Sequence, residues 1–234
     1  MVWNRISNWK VKFLSQAGKE ILLKAVVQAI PTYCMGVFQL TISLCKEINS
    51  LMQKFWWGHM ANTSKIHWLS WDKMGLAKSA GGLSFRDLVL FNKALLAKQG
   101  WRIIKEPNSI AVLILKAKYF PHSGFMEANL GTRPSYAWRS IFNSRELLKQ
   151  RLWWRVGDRR EINIWGDRWL PTPSTFFVQS TPQCIPVTSK AMELIDLVSK
   201  SWKAVLISAM FSTDEAKVIL GIPLSPSLPR DCLI

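Results

Sequence analysis

Apolar residues recur at helical spacing in the first predicted element of the chain, residues 16–30. Leu22, Val26 and Ile30 lie four residues apart and so fall on one stripe of a helix, while polar and charged side chains form the neighbouring stripe. Pro31 cannot continue a helix without a kink. The pattern therefore predicts an amphipathic helix that ends at this proline.

Further amphipathic helices are predicted where apolar residues recur at intervals of three and four between stop signals. The predicted segments are 43–57, ending at Gly58; 84–106, ending before Pro107; 109–120, ending before Pro121; and 134–150, with Ser135 as its N-cap.

The stretch "GGLSFRDL" (81–88) opens the longest of these helices. Ser84 and Asp87 have the spacing of a capping box, with Asp in place of the usual Glu. Gly81 and Gly82 fit neither the Walker pattern nor the dinucleotide fingerprint. We therefore expect the glycine pair to permit a tight bend and not to cradle a phosphate.

Alternation of apolar and polar residues within 152–165 predicts one β-hairpin, because period two is typical of a half-buried strand. The first arm carries Trp154 and Val156, the second carries Ile162 and Ile164, and the turn lies at Gly157-Asp158.

These patterns predict a mainly α fold: a helical, thumb-like bundle with one β-hairpin and a short helical tail. Four prolines between 171 and 186 indicate a linker. The predicted parts are a helical region at 1–122, a helix plus hairpin at 123–170, a proline-containing linker at 171–189 and a short helical tail at 190–234.

Positive charge is distributed unevenly along the chain, whose net charge is +16. Residues 1–181 hold 26 Lys and Arg against 10 acids, whereas residues 182–234 hold 5 of each. Such an excess attracts polyanions through its field and through counterion release. We expect RNA, DNA or an RNA–DNA hybrid as a partner bound without sequence preference. An anionic membrane surface, or no partner, is the alternative.

One predicted helix concentrates this charge on a single face. Lys98, Arg102 and Lys105 occur at i, i+4 and i+7, so they project from the same side of the helix. These three residues are the first candidates for contact with nucleic-acid phosphates.

Patterns that support catalysis, metal binding or membrane insertion are missing from the sequence. No two cysteines lie two to four residues apart, the seven aspartates are separated from one another, and no G-x-S-x-G occurs. Asp167 is the most suggestive carboxylate, but a salt bridge to its neighbour Arg168 is favoured. Lys or Arg interrupts every apolar run before the roughly 20 residues that a bilayer requires. No catalytic residue, metal, cofactor or membrane partner is predicted.

Adjacent tryptophans beside cations allow two interpretations. The pairs Trp56-Trp57 and Trp153-Trp154 would suit stacking on nucleic-acid bases. Their apolar periodicity favours a place in the core, less strongly for one member of each pair.

A series of motifs runs through the chain in order: "LSQAGKEILLKAVVQAIPTYCM", "KFWWG", "KIHWLSWDKM", "GGLSFRDLVLFNKALLAKQGWR", "LKAKYFP", "GTRPSYAWRSI", "RLWWRVGD", "IWGDRWLP" and "ILGIPLS". Together they resemble the region that follows the polymerase palm in plant LINE-type (non-LTR) retrotransposon reverse transcriptases. They are also similar to short open reading frames of this origin in plant mitochondrial genomes.

The resemblance implies a thumb and connection region, whose helices pack against a template–primer duplex. It adds a second group of candidate phosphate contacts in the first segment: Lys10, Lys12, Lys19 and Lys24. The Y-A-D-D carboxylates of the palm would precede Met1, and the zinc-binding and ribonuclease H segments would follow Ile234. A reverse transcriptase-related protein without polymerase or ribonuclease H catalytic residues is therefore expected.

Two functions follow as alternatives. The first is nonspecific binding of a nucleic-acid backbone. The second is an inert relic or a protein-interaction module, because a thumb without its palm exposes apolar surface, which favours self-association. Nucleus and mitochondrion are alternative locations.

Overall fold

The computed structural model confirms a mainly α protein. It describes residues 14–58, 66–157, 160–172, 175–181, 186, 188–196, 199–224 and 231–234. The chain divides into two compact units, unit 1 (Met1–Lys149) and unit 2 (Gln150–Ile234). The predicted boundaries after residues 122, 170 and 189 do not coincide with this single division.

Unit 1 is built from helices, several of which begin where the sequence predicts. Their bounds are α1 Gln16–Leu22, followed by a π-helical turn Leu23–Val27, α2 Thr32–Met35, α3 Ile42–Trp57, α4 Trp71–Gly75, a 3₁₀ turn Lys78–Ala80, α5 Leu88–Lys105, α6 Ile110–Tyr119, α7 Tyr136–Asn143 and α8 Arg145–Arg151, whose last two residues belong to unit 2.

Side-chain caps fix the starts of these helices. The hydroxyls of Ser15, Thr41 and Ser135 accept backbone N–H groups in the first turns of α1, α3 and α7, which satisfies donors that the helix itself leaves unpaired. Gly58 ends α3 in the left-handed region at φ 70°, where glycine is favoured. The predicted cap at Ser135 and the predicted stop at Gly58 are confirmed.

Two of the predicted helices differ in detail from the observed ones. The segment 16–30 passes into a π-helical turn after Leu22. The segment 134–150 is two helices, because the chain breaks at Ser144, whose hydroxyl donates to the carbonyl of Ile141 at 2.6 Å. A serine that bonds its own backbone competes with the helical ladder.

The prediction of a capping box at the start of α5 is wrong. Asp87 alone is the N-cap, and its Oδ1 accepts the N–H groups of Val89 at 2.8 Å and Leu90 at 3.0 Å. Ser84 lies outside the helix with φ +57°.

The core of unit 1 joins α3, α4 and α5 to the π-helical turn. Leu23, Met52, Met74 and Leu88 are among its fully buried members, and the Phe85 ring stacks on other aromatics within it. Burial of these apolar side chains is the main source of stability for unit 1.

Unit 2 has a separate core. Its elements are β1 Trp154–Arg155, a 3₁₀ turn Ala191–Leu194, β2 Ile195–Asp196, β3 Ser201–Trp202, α9 Ala204–Met210, α10 Thr213–Gly221 and β4 Cys232–Leu233. Trp169, Leu194, Ile207 and Ile219 are buried together.

The predicted hairpin pairing within 152–165 is wrong. β1 pairs antiparallel with β4, with Trp154 opposite Leu233. Ile162 and Ile164 are buried in the unit 2 core, and Asn163 between them bridges to Lys190. The alternation of apolar and polar residues therefore reflects two segments that each bury one face. They are not the two arms of one hairpin. The observed hairpin joins β2 to β3.

The predicted linker at 171–189 contains residues that belong to unit 2. The N–H groups of Trp169 and Leu170 donate to the carbonyl of Phe176, and Val178 packs against the core. Prolines in this stretch mark an irregular path, but in its described residues the chain stays on unit 2.

Candidate nucleic-acid interface

The glycine pair forms the bend that precedes α5. Gly81 adopts φ +79°, and a Cβ on Gly82 would lie 2.1 Å from the carbonyl oxygen of Leu76. Only glycine allows backbone to approach backbone this closely. The expected tight bend is confirmed, and its consequence is that α5 starts from a fixed position.

α5 carries the predicted cationic face on its solvent side. At 3.6 residues per turn, Arg102 and Lys105 lie within about 40° of Lys98 around the helix. All three side chains are exposed, while Leu88, Asn92 and Ile103 point into the protein. We call Lys98, Arg102 and Lys105 the α5 cationic face.

Two of the three cations on this face have local partners. The Arg102 guanidinium lies 3.4 Å from the Glu106 carboxylate in an exposed i,i+4 pair. The Lys105 ammonium lies 4.9 Å from the centre of the Trp101 ring. Within the described ranges, Lys98 makes no hydrogen bond or ion pair. Exposed pairs of this kind are weak, so the face keeps its positive potential.

The second group of predicted contacts does not form such a face. Lys19 is buried, and its ammonium donates to the carbonyl of Trp56 at 3.3 Å. Lys24 pairs with Glu20 at 2.7 Å, and Lys78 approaches the same carboxylate at 3.1 Å. Lys10 and Lys12 lie outside the described residues.

The paired carboxylate of Glu20 has an altered pKa. Hydrogen bonds from Lys24 and then Lys78 hold the pKa of Glu20 below its usual value, against a smaller effect of burial. Lys19 in α1 and Lys24 in the π-helical turn therefore serve local packing more than they serve a solvent-facing site.

Several cations that were not among the predicted contacts are exposed on other helices of unit 1. Lys116 and Lys118 lie on α6, and Arg139 lies on α7 with Arg133 just before it. Their charge was visible in the sequence, but their exposure depends on which helix faces are buried. Unit 1 holds 21 Lys and Arg against 7 acids, and unit 2 holds 10 against 8, so the excess belongs to unit 1.

Two aspartates of unit 2 accept backbone hydrogen bonds. Asp167 accepts the N–H and the side-chain amide of Asn163 at 2.7 and 3.0 Å, so the predicted salt bridge to Arg168 is not what holds it. Asp231 accepts the N–H of Gly157 at 2.8 Å. Across the described residues, no group of three His, Cys, Asp or Glu side chains is placed to hold a metal ion.

Three of the four cysteines lie in the described residues, and all three are free thiols. Cys45 is buried, and burial followed by the charge of Asp87 raises the pKa of its thiol. Cys34 is exposed and Cys232 is half-buried.

The paired tryptophans are mainly packing residues. Trp56 is buried, and Trp57 is half-buried beside the His67 ring at 6.0 Å between centres. Trp153 and Trp154 are half-buried in unit 2, where Trp153 contacts Phe176. The core interpretation of these residues is the better one.

α6 presents an apolar face to solvent. Ile110, Leu113 and Ile114 are 77%, 50% and 64% exposed, although they share one side of the helix at i, i+3 and i+4. Val112 is the buried residue of this helix. Contiguous aliphatic exposure of this kind is typical of a surface that meets a partner. In the part of the chain that the structure describes, no helix has both the length and the apolar composition of a membrane span.

Comparison with known proteins gives two relatives, both from Arabidopsis thaliana. The chain is 49% identical over 143 residues to the "Uncharacterized mitochondrial protein AtMg00310". The aligned region covers 61% of this chain and 93% of that relative. The chain is 34% identical over 174 residues to the "Putative ribonuclease H protein At1g65750", which covers 72% of this chain.

The chain spans only 28% of the length of this ribonuclease H relative. No protein-family model matches the chain, and no solved structure matches it significantly. Nearly half of the aligned positions are identical over almost the whole of the mitochondrial relative. The chain therefore belongs to the family of that plant mitochondrial protein.

Proposed function

We propose that this chain is a retrotransposon-derived protein that binds the backbone of RNA, DNA or an RNA–DNA hybrid without sequence preference. The observation that carries the proposal is the α5 cationic face, three exposed cations on one side of a helix whose start is capped by Asp87. Lys and Arg on a helix neutralise phosphates and release counterions, and this requires no contact with the bases.

Two further findings support the proposal. Unit 1 carries the excess charge, with 21 basic residues against 7 acids. A relative named as a ribonuclease H protein shares 34% identity, and a ribonuclease acts on RNA. The motifs occur in the same order as in the post-palm region of LINE-type reverse transcriptases. This order suggests that the family keeps the nucleic-acid binding of a thumb. Binding and not catalysis is the proposed activity.

The test is a salt titration of binding to a labelled duplex and to an RNA–DNA hybrid. For each phosphate contact, log Kd should change by about 0.9 per unit of log salt on duplex DNA. Replacing Lys98, Arg102 and Lys105 by Gln should lower that slope by about 2 to 3, since each contact contributes separately.

The matched control replaces three exposed cations of unit 2, Arg155, Lys200 and Lys217, by Gln. This control removes the same net charge and should leave most of the slope in place. Absence of binding by the wild-type protein at low salt would refute the proposal. An equal loss of slope in both variants would assign binding to net charge and not to the α5 cationic face.

The apolar face of α6 supports a second candidate function, self-association. Three large aliphatic side chains exposed on one helix favour burial against a second copy. Light scattering should then show mass rising with concentration, and the change of Ile110, Leu113 and Ile114 to Gln should abolish the rise. A wild-type protein that stays monomeric at high concentration would exclude this candidate.

A further inference from the structure

The loop at 36–41 presents an aromatic ring that stacks on a ring of α7. The centres of the Phe38 and Tyr136 rings are 5.7 Å apart, with 24° between their planes. Phe38 is 38% exposed and Tyr136 is 53% exposed. Because stacking covers one face of each ring, this exposure leaves outer ring surface open to solvent.

Hydrogen bonds from α5 hold this loop in place. The buried amide of Asn92 donates to the carbonyls of Met35 at 2.8 Å and Phe38 at 2.9 Å, and it accepts the N–H of Leu40 at 2.7 Å. All three bonds go to backbone atoms, two in the loop and one at the end of α2 just before it. They therefore fix the position of residue 38 whatever its side chain.

α7 holds the same loop from its other side. The Ser140 hydroxyl accepts the N–H of Gln39 at 3.0 Å, and the Tyr136 hydroxyl donates to the carbonyl of Gln39. Both rings are thus fixed before any ligand arrives, which reduces the entropy lost on binding. These backbone bonds do not require an aromatic side chain at position 38, and a leucine there would keep them. The structure of the loop therefore does not account for the exposed Phe38 ring.

Two arginines flank this aromatic pair in sequence. Arg139 lies one helical turn after Tyr136 and is exposed, and Arg133 lies three residues before it and is exposed. Neither arginine forms an ion pair among the residues that the structure describes. Aromatic rings beside cations suit a strand in which a base stacks on the ring while the phosphates meet the cations.

We infer that Phe38, Tyr136, Arg133 and Arg139 form a stacking site for an unpaired nucleobase, so that unit 1 prefers strands with unpaired bases to fully paired duplex. This inference rests on the proposed nucleic-acid binding and adds the substrate class. A base within an intact duplex already stacks on its neighbours, so a fully paired helix gains nothing from this site.

The experiment compares two probes on the intact chain, a labelled strand of about ten thymidines and a blunt duplex of similar length. The variant Phe38→Leu/Tyr136→Leu removes the rings and keeps apolar side chains. It also removes the Tyr136 hydroxyl that bonds the carbonyl of Gln39, so Tyr136→Phe, which loses that bond and keeps the ring, should leave both affinities unchanged. We expect about a 5- to 30-fold loss of affinity for the single strand, the effect of losing one stacked base. Duplex affinity should change by less than about twofold, because backbone contacts carry it.

Trp68→Leu is the matched control, since Trp68 is also an exposed aromatic ring but lies outside the proposed site. It should leave both affinities unchanged. A second variant, Arg133→Gln/Arg139→Gln, keeps both rings and should lower the salt dependence of single-strand binding. An equal effect of Trp68→Leu and the ring variant, or no effect of either, would overturn the inference.

Alkylation of Cys34 provides a readout that needs no substitution. Cys34 has an exposed thiol and adjoins the site through its backbone, since the N–H of Phe38 donates to the Cys34 carbonyl at 2.8 Å. Bound thymidine strand should slow alkylation of Cys34 and leave the rate at Cys232 unchanged. Protection of neither thiol while the strand is bound would place the strand elsewhere and refute the site. A wild-type protein that binds neither probe would instead refute the proposed function.

Discussion

Asn92 joins α5 to the 35–40 segment of unit 1 through hydrogen bonds. It is buried in α5, and its amide satisfies two carbonyls and one N–H of the 35–40 segment. Asn92→Ala leaves the carbonyl of Met35 unsatisfied in a buried position, which costs about 1–3 kcal/mol. The carbonyl of Phe38 and the N–H of Leu40 are only partly buried, so solvent offsets most of their loss. We expect a loss of about 1–3 kcal/mol in the free energy of unfolding, measured by urea titration. Asn108→Ala, at an exposed position, is the control, and equal midpoints for the two variants would contradict the prediction.

Glu215 of unit 2, like Asn92 of unit 1, is a buried polar residue that hydrogen-bonds a segment distant in the chain. Burial raises the pKa of Glu215, but hydrogen bonds from Ser180, Gln179 and Ser212 outweigh it and hold the pKa below its ordinary value of 4.5. A carboxyl whose folded pKa is lowered stabilises the protein above its unfolded pKa, and this stability is lost as pH falls through the folded pKa.

Glu215→Gln should therefore be less stable than wild type at neutral pH, and the difference should shrink below pH 4.5. Thermal unfolding at several pH values measures this difference, with Asp214→Asn at an exposed neighbour as the control. A difference that is constant with pH would contradict the assigned hydrogen bonds. The sequence could not reveal either residue, because the partners of each include groups distant in the chain.

At the scale of elements, the start of α5 shows which part of a predicted helix start is right and which part is wrong. Asp87 caps the helix through two backbone N–H groups, whereas Ser84 lies three residues earlier with positive φ. Asp87→Ala should cost about 1 kcal/mol of stability, and Ser84→Ala should cost less than about half of that. Urea midpoints of the two variants test this order, and a larger effect of Ser84→Ala would support the predicted capping box.

Local signals placed most helices of unit 1 because a cap or a stop acts within one turn. Ser135 and Gly58 are such signals, and both were predicted. The strand pairing of Trp154 with Leu233 joins residues far apart in sequence, and alternation at 152–165 carries no information on the partner. Exposure of the α5 cationic face was predictable from spacing, while the burial of Lys19 required knowledge of how α1 packs on α3.

At the scale of the whole molecule, the two candidate functions respond to salt in opposite directions. Phosphate binding by unit 1 weakens as salt rises, because the release of counterions into a more concentrated salt solution gains less entropy. Self-association through α6 brings together two copies of a unit with 21 basic residues and 7 acids. Salt screens that repulsion over a Debye length of about 8–10 Å at roughly 0.1–0.15 M, and it leaves apolar burial intact.

We therefore expect that raising salt from about 50 to about 200 mM lowers nucleic-acid affinity at least about 10-fold and increases the weight-average mass of the free protein. Sedimentation velocity with and without a labelled duplex measures both quantities on the same sample. The α5 variant should weaken the first response alone, and the Ile110, Leu113 and Ile114 variant should lose the second alone. If one variant abolished both responses, the nucleic acid would be bound by an oligomer, and the α5 cationic face would act only within that assembly.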